Sequence, residues 1–191
     1  MNLGILGLDE ITGKIVDGSV VLIECHTGLC NHLLVKIAKE NEDLAIFAHK
    51  RMEKLFSRNV FYPNDVYNLH QLYTIPLAIK KCKQKMVLFL LLHDLFSIHM
   101  PESVCGLFSE IAGIVRNQKK VLVSSIDTDL IDVKTLSMLE NEADYVIELR
   151  EEVNGLKIRR GIRAKKSLTK PPSDFYDFDL DEFKIGKRLK R

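Results

Sequence analysis

The residues best suited to chemistry are six histidines and four cysteines, and six of those ten fall at three points of the chain. Cys25, His26, Cys30 and His32 stand together, followed by His49 and then His93. The first group occupies the frame of a glycine-rich phosphate-cradling loop, G-x-x-x-x-G-K-[ST], which sits between a buried strand and a helix. In that frame Cys25 replaces the first glycine, Cys30 the second, Asn31 the lysine and His32 the hydroxyl residue. Gly28 is the one glycine left inside the loop. Such a loop works because glycines let backbone N–H groups curl around phosphate while lysine supplies a point charge. A β-carbon at Cys25 and Cys30 penalises positive φ. Asn31 donates hydrogen bonds without charge, and His32 is a poor substitute for a hydroxyl on magnesium. The free N–H groups of a helix N-terminus would remain as a weak anion site.

Imidazole and thiolate also suit a tetrahedral transition metal. Cys25, Cys30, His32, His49 and His93 are therefore a candidate metal set standing where a nucleotide would lie. The competing reading is a loop drifted to small and polar residues, because Cys-x4-Cys with a nearby histidine lacks the paired spacing of a standard zinc module. Cys25 beside His26 makes a poor nucleophile and base, since sequence neighbours seldom point at each other and no orienting carboxylate is evident. The acidic run Asp174 to Glu182 alternates with Phe175, Tyr176, Phe178 and Leu180, the pattern of a docking segment that buries aromatics.

The elements that must hold these residues are legible from periodicity. Val20 to Ile23, Leu44 to Phe47, Met86 to Leu92, Val121 to Val123 and Tyr145 to Leu149 read as five strands, the third apolar at every position. Leu33, Leu34, Ile37 and Ala38 fall at helical spacing, as do Met52, Leu55 and Phe56. Leu77 to Cys82 and Val104 to Val115 read as helices, and Leu136 and Leu139 mark a shorter one. Asn154 and Gly155 both tolerate positive φ and predict a hairpin turn into Leu156 to Arg160. Strands apolar on both faces and alternating with helices indicate a largely parallel sheet covered on both sides. The expected division is one domain, 1–170, and a C-terminal tail, 171–191, partly docked and ending in a disordered basic segment.

Composition narrows the class. A hydrophobic fraction of 46% with 28% charged residues belongs to a globular chain, and a net charge of +2 makes no global case for nucleic acid. Leu88 to Leu92 is too short to span a bilayer. The N-terminus lacks the pattern of a secretion signal. The cysteines form no extracellular disulfide framework, so reduced thiols in the cytoplasm are expected.

The order of these pieces resembles the RecA-like ATPases, in particular the archaeal and cyanobacterial KaiC-like branch. Leu6 to Gly13 (LGLDEITG) is similar to that branch's opening motif, G-[LI]-D-x-L-x-G-G. Gly18 to Glu24 (GSVVLIE) is similar to its strand leading into the P-loop. Ala143 to Leu149 (ADYVIEL) resembles its A-D-x-V-I-x-L strand. The resemblance runs from Leu6 to Ile185. It implies an α/β, three-layer RecA-like P-loop fold, with a mainly parallel central sheet flanked by helices and a C-terminal antiparallel hairpin.

The departures from the family bear on activity. Where it carries a catalytic glutamate this chain has Ala48, His49, Lys50 and Arg51. At the end of the magnesium strand either His93 or Asp94 takes the place of the family's aspartate. Ser124 and Ser125 fall where the family has a polar sensor residue. The resemblance thus implies a non-catalytic assembly or regulatory module that has lost ATP hydrolysis. One alternative is a weak or unconventional ATP-binding protein using Asp94. Another is a nucleic-acid-binding module built on Arg150, Lys157, Arg159, Arg160, Arg163, Lys165 and Lys166 around the hairpin, against which stands a solvated, charge-protected sheet edge. No cofactor is expected, with a weakly held nucleotide or a metal ion as the alternatives. The expected partners are the protein itself or a related RecA-like protein, with nucleic acid as a further option and no membrane.

Overall fold

The computed structural model describes residues 3–26, 29–56, 60–63, 67–155 and 157–189. The described residues form one sheet of nine strands. In chain order the strands are β1 (Val20–Cys25), β2 (Leu44–Ala48), β3 (Val60–Pro63), β4 (Met86–Phe89), β5 (Val121–Asp127), β6 (Tyr145–Asn154), β7 (Lys157–Lys166), β8 (Tyr176–Asp179) and β9 (Lys184–Arg188). Their spatial order is β3-β2-β4-β5-β1-β6-β7-β8-β9. The first six in that order pair in parallel, and β7, β8 and β9 extend the sheet antiparallel.

The helices are α1 (Leu8–Thr12), α2 (Leu29–Glu40), α3 (Thr74–Lys81), α4 (Leu92–Ile98), α5 (Pro101–Asn117) and α6 (Val133–Glu142), with a 3₁₀ turn over Lys50–Phe56. Alternation along β1 divides the core. Val21, Ile23 and Cys25 face one cluster with Leu33, Leu34 and Ile37 of α2, while Val20 and Leu22 face the other with Ile79, Phe108, Ile111 and Leu139. Every residue of β1 is buried, as expected for a central parallel strand covered on both faces. Among the described residues no helix is long and apolar enough to cross a membrane.

Several elements differ from the sequence expectation: α1 is an unanticipated helix, and β5 and β6 run on to Asp127 and Asn154. The apolar run read as one strand from Met86 to Leu92 is a strand only to Phe89, and its last residue opens α4. A run apolar at every position fits a fully buried strand and a buried helix turn equally, so periodicity does not mark the switch. β3 was not anticipated, because Val60 is exposed and the other three residues are half-buried, with no regular alternation. The segment 171–191 contributes two strands: β8 joins the sheet through β7, and β9 through β8. Leu6 bridges to Lys184 and so ties the two ends of the chain together. The predicted hairpin turn is present, with Gly155 at φ 61°, and Leu156 lies outside the described residues.

Candidate functional site

A cavity of about 200 Å³ opens at the carboxyl ends of the parallel strands. Open α/β sheets place ligands at that edge, where strand order reverses. Here β1 lies between β5 and β6 while the chain runs on to β2 on the far side of β4. Cys30 and Asn31 come from the first turn of α2, Arg51 and Met52 from the 3₁₀ turn, His93 and Asp94 from α4, and Ser125 and Asp127 from β5. The fold thus brings Cys30, Asn31, His93 and Asp94 together, as the sequence frame requires. His93 and Asp94 stand in the first turn of α4 rather than at the end of a strand. That corrects the expected position of both residues. His32 is exposed on α2, and His49 is half-buried just beyond β2. Gly28 lies outside the described residues.

Cys25 and Cys30 are joined as a disulfide, with Cα atoms 5.8 Å apart. The expectation of four reduced thiols is corrected here, because only Cys82 and Cys105 are free, and both are buried. The fold supplies the missing information. It returns the first turn of α2 over the end of β1, placing two residues five apart in sequence within bridging distance. The bridge leaves His32, His49 and His93 of the candidate metal set, and these do not form a three-ligand group. Among the described residues such a group occurs once, from His26, Asp127 and Asp129, with ligand atoms within 4.8 Å of one another. Its members are already hydrogen-bonded. His26 Nδ1 lies 3.0 Å from Asp129 Oδ1 and 3.1 Å from Thr128 Oγ1, and Asp127 Oδ1 accepts from the Asp129 N–H at 3.1 Å.

The basic residues of the β6–β7 hairpin have their own partners. Glu148, only 6% exposed, accepts from Arg150 Nε and Arg163 Nε, each at 2.6 Å. Arg160 pairs with Glu151 at 2.6 Å. These contacts follow register, since Glu148 faces Arg163 and Glu151 faces Arg160 across the ladder. The guanidinium groups of Arg150 and Arg163 also lie 5.1 and 4.7 Å from the Phe175 ring centroid. Lys166 donates to the carbonyls of Glu140 and Asn141 near the end of α6. Lys157 and Arg159 form no ion pair with a described residue. Four of the seven basic residues, Arg150, Arg160, Arg163 and Lys165, thus meet carboxylates within the chain, Arg150 and Arg163 sharing one, so the positive charge is partly compensated.

A buried charged cluster lies at the root of the same hairpin. Glu24 is 1% exposed on β1, and its Oε1 has no hydrogen-bond partner among the described residues. Lys165 Nζ bridges Glu24 Oε2 at 2.8 Å and Glu140 Oε1 at 2.5 Å. Desolvation, reinforced by the adjoining Glu140, raises the Glu24 carboxyl from 4.5 to about 7. Burial acts first on Glu140, but the neighbouring Glu24 and the hydrogen bond from Lys165 outweigh it and lower that carboxyl. Burial works against the Lys165 ammonium, yet the two carboxylates raise it. Sequence reasoning missed this cluster. A lone glutamate in an otherwise apolar run was the available signal, since a buried carboxylate needs a partner.

No family model and no curated protein matches the chain. Among solved structures it is similar to a KaiC-like protein from the hyperthermophilic archaeon Pyrococcus horikoshii. The two share 14% identity over 99% of this chain and 98% of the other, with a TM-score of 0.70. That likeness establishes the fold: a mostly parallel RecA-like, KaiC-like sheet with flanking helices and a C-terminal antiparallel hairpin.

Proposed function

We propose that this chain is a non-catalytic RecA-like, KaiC-like protein that serves as an assembly or regulatory module and has lost ATP hydrolysis. The observation that carries this reading is the make-up of the turn between β1 and α2. Its two ends are cross-linked by Cys25 and Cys30, and Asn31 and His32 stand in the lysine and hydroxyl positions of the phosphate-loop frame. Phosphoryl transfer rests on positioned cations and metal-bound oxygens. Asn31 and His32 supply neither. Self-association, or pairing with a related RecA-like protein, is the role this reading assigns to the retained fold.

A second reading keeps weak nucleotide binding. It is favoured by Asn31, Arg51 and Asp94 lining one cavity. Thermal shift separates the two, because a ligand that binds only the folded state raises Tm. On the first reading, millimolar ATP with magnesium leaves Tm unchanged, and size-exclusion chromatography with light scattering finds a defined oligomer or a complex with a co-purified relative. A Tm rise together with phosphate release abolished in Asp94→Ala would overturn the first reading in favour of the second.

A further inference from the structure

We infer that Cys25 and Cys30 form a reversible thiol–disulfide switch that locks the turn between β1 and α2. The inference is independent of whether the cavity binds nucleotide. Cys25 is the last residue of β1 and Cys30 the second residue of α2, so the bridge ties a core strand to the first turn of the helix facing the cavity. The connection becomes a closed covalent ring. In the oxidised form the start of α2, including Asn31, is held against the end of β1.

Both cysteines are buried, but Cys25 is 1% exposed, whereas Cys30 is 8% exposed and lines the cavity beside Asn31, His93 and Asp94. The cavity is therefore the side from which an external dithiol would approach Cys30 Sγ. Its thiolate attacks that sulfur, the Cys25–Cys30 bond breaks, and Cys25 leaves as a thiolate. The second thiol of the reductant then attacks the mixed disulfide and releases Cys30. Two electrons pass from the dithiol to the protein. The dithiol closes to a disulfide, and the two protons it loses end on Cys25 and Cys30. Cys82 and Cys105 lie elsewhere in the core and take no part.

The test equilibrates the full-length folded protein across a series of reduced-to-oxidised dithiothreitol ratios, then blocks thiols with maleimide and maps peptides by mass. We expect Cys25 and Cys30 to pass together from blocked to cross-linked as the buffer becomes oxidising, with Cys82 and Cys105 unlinked throughout. Reduction should lower Tm by roughly 4–8 °C, the effect of opening a short ring in a chain of this size. Amide hydrogen exchange across 26–34 should quicken on reduction. Cys30→Ser should show the reduced protein's Tm and exchange in every buffer. The switch is overturned if Cys25 and Cys30 stay free in the most oxidising buffer. It is equally overturned if the cross-link resists reduction until the protein unfolds, or if Cys30→Ser responds to the buffers as the parent does.

Discussion

Replacing Glu24 by glutamine should change how stability depends on pH. In the unfolded chain Glu24 ionises near 4.5, whereas in the fold it does so near 7 because burial disfavours the charge. Between those values the unfolded chain has released the proton and the native protein still holds it. Stability therefore falls as pH rises across that window, and this contribution is constant above it. At about 1.4 kcal/mol per pH unit, the cost is at most about 3–4 kcal/mol. Solvent reaching the partly exposed Lys165 and Glu140 screens the cluster, leaving roughly 1–2 kcal/mol. The lowered Glu140 carboxyl acts below this window and the raised Lys165 ammonium above it. Glu24→Gln keeps the shape, its amide able to accept from Lys165 and donate to Glu140 without ionising. Urea unfolding followed from pH 4.5 to pH 8 should show equal stabilities at the acid end and a variant more stable by about 1–2 kcal/mol at pH 8. A difference between the two proteins that does not change with pH would refute the reasoning.

Other substitutions test the architecture. Gly13 holds φ 67°, and an added Cβ would lie 2.0 Å from Thr169 Oγ1, so Gly13→Ala should destabilise by more than about 1 kcal/mol in urea unfolding. Gly106 sits inside α5 with nothing within 4 Å of an added Cβ, so Gly106→Ala should stabilise by about 0.5–1 kcal/mol in the same assay. Phe108 is fully buried between α5 and the sheet, and Phe108→Ala should cost about 3–5 kcal/mol, read as a fall in the urea midpoint. Asp132 caps α6 by accepting from the Thr135 N–H at 2.9 Å and the Thr135 hydroxyl at 2.7 Å. Asp132→Ala should lower Tm by roughly 2–4 °C in a thermal melt.

Much of the scaffold was legible before any coordinates. β2 and most of β1 fall where uninterrupted apolar runs place them, and β5 and β6 begin at the predicted residues, because a central parallel strand buries both faces and so loses its polar alternation. α5 is visible from its 3.6-residue stripe, and the β6–β7 turn from Asn154 and Gly155. The cavity-lining residues Cys30, Asn31, His93 and Asp94 were also named from local motif frames.

What the chain order determined by itself was most of the parallel strands, the stripes of α2 and α5, and the segment that closes the strand ends, since these follow from local periodicity and turn chemistry. Tertiary structure alone decided who meets whom. The strand run ends at Phe89, and Leu92 opens α4, which packs on β5 and α5. The Glu24–Lys165–Glu140 cluster joins residues up to 141 positions apart, and the pairing of Glu148 with Arg163 depends on strand register. The Cys25–Cys30 bridge depends on α2 folding back over β1. Such contacts are set by distances in space, and a one-dimensional pattern carries only separations along the chain.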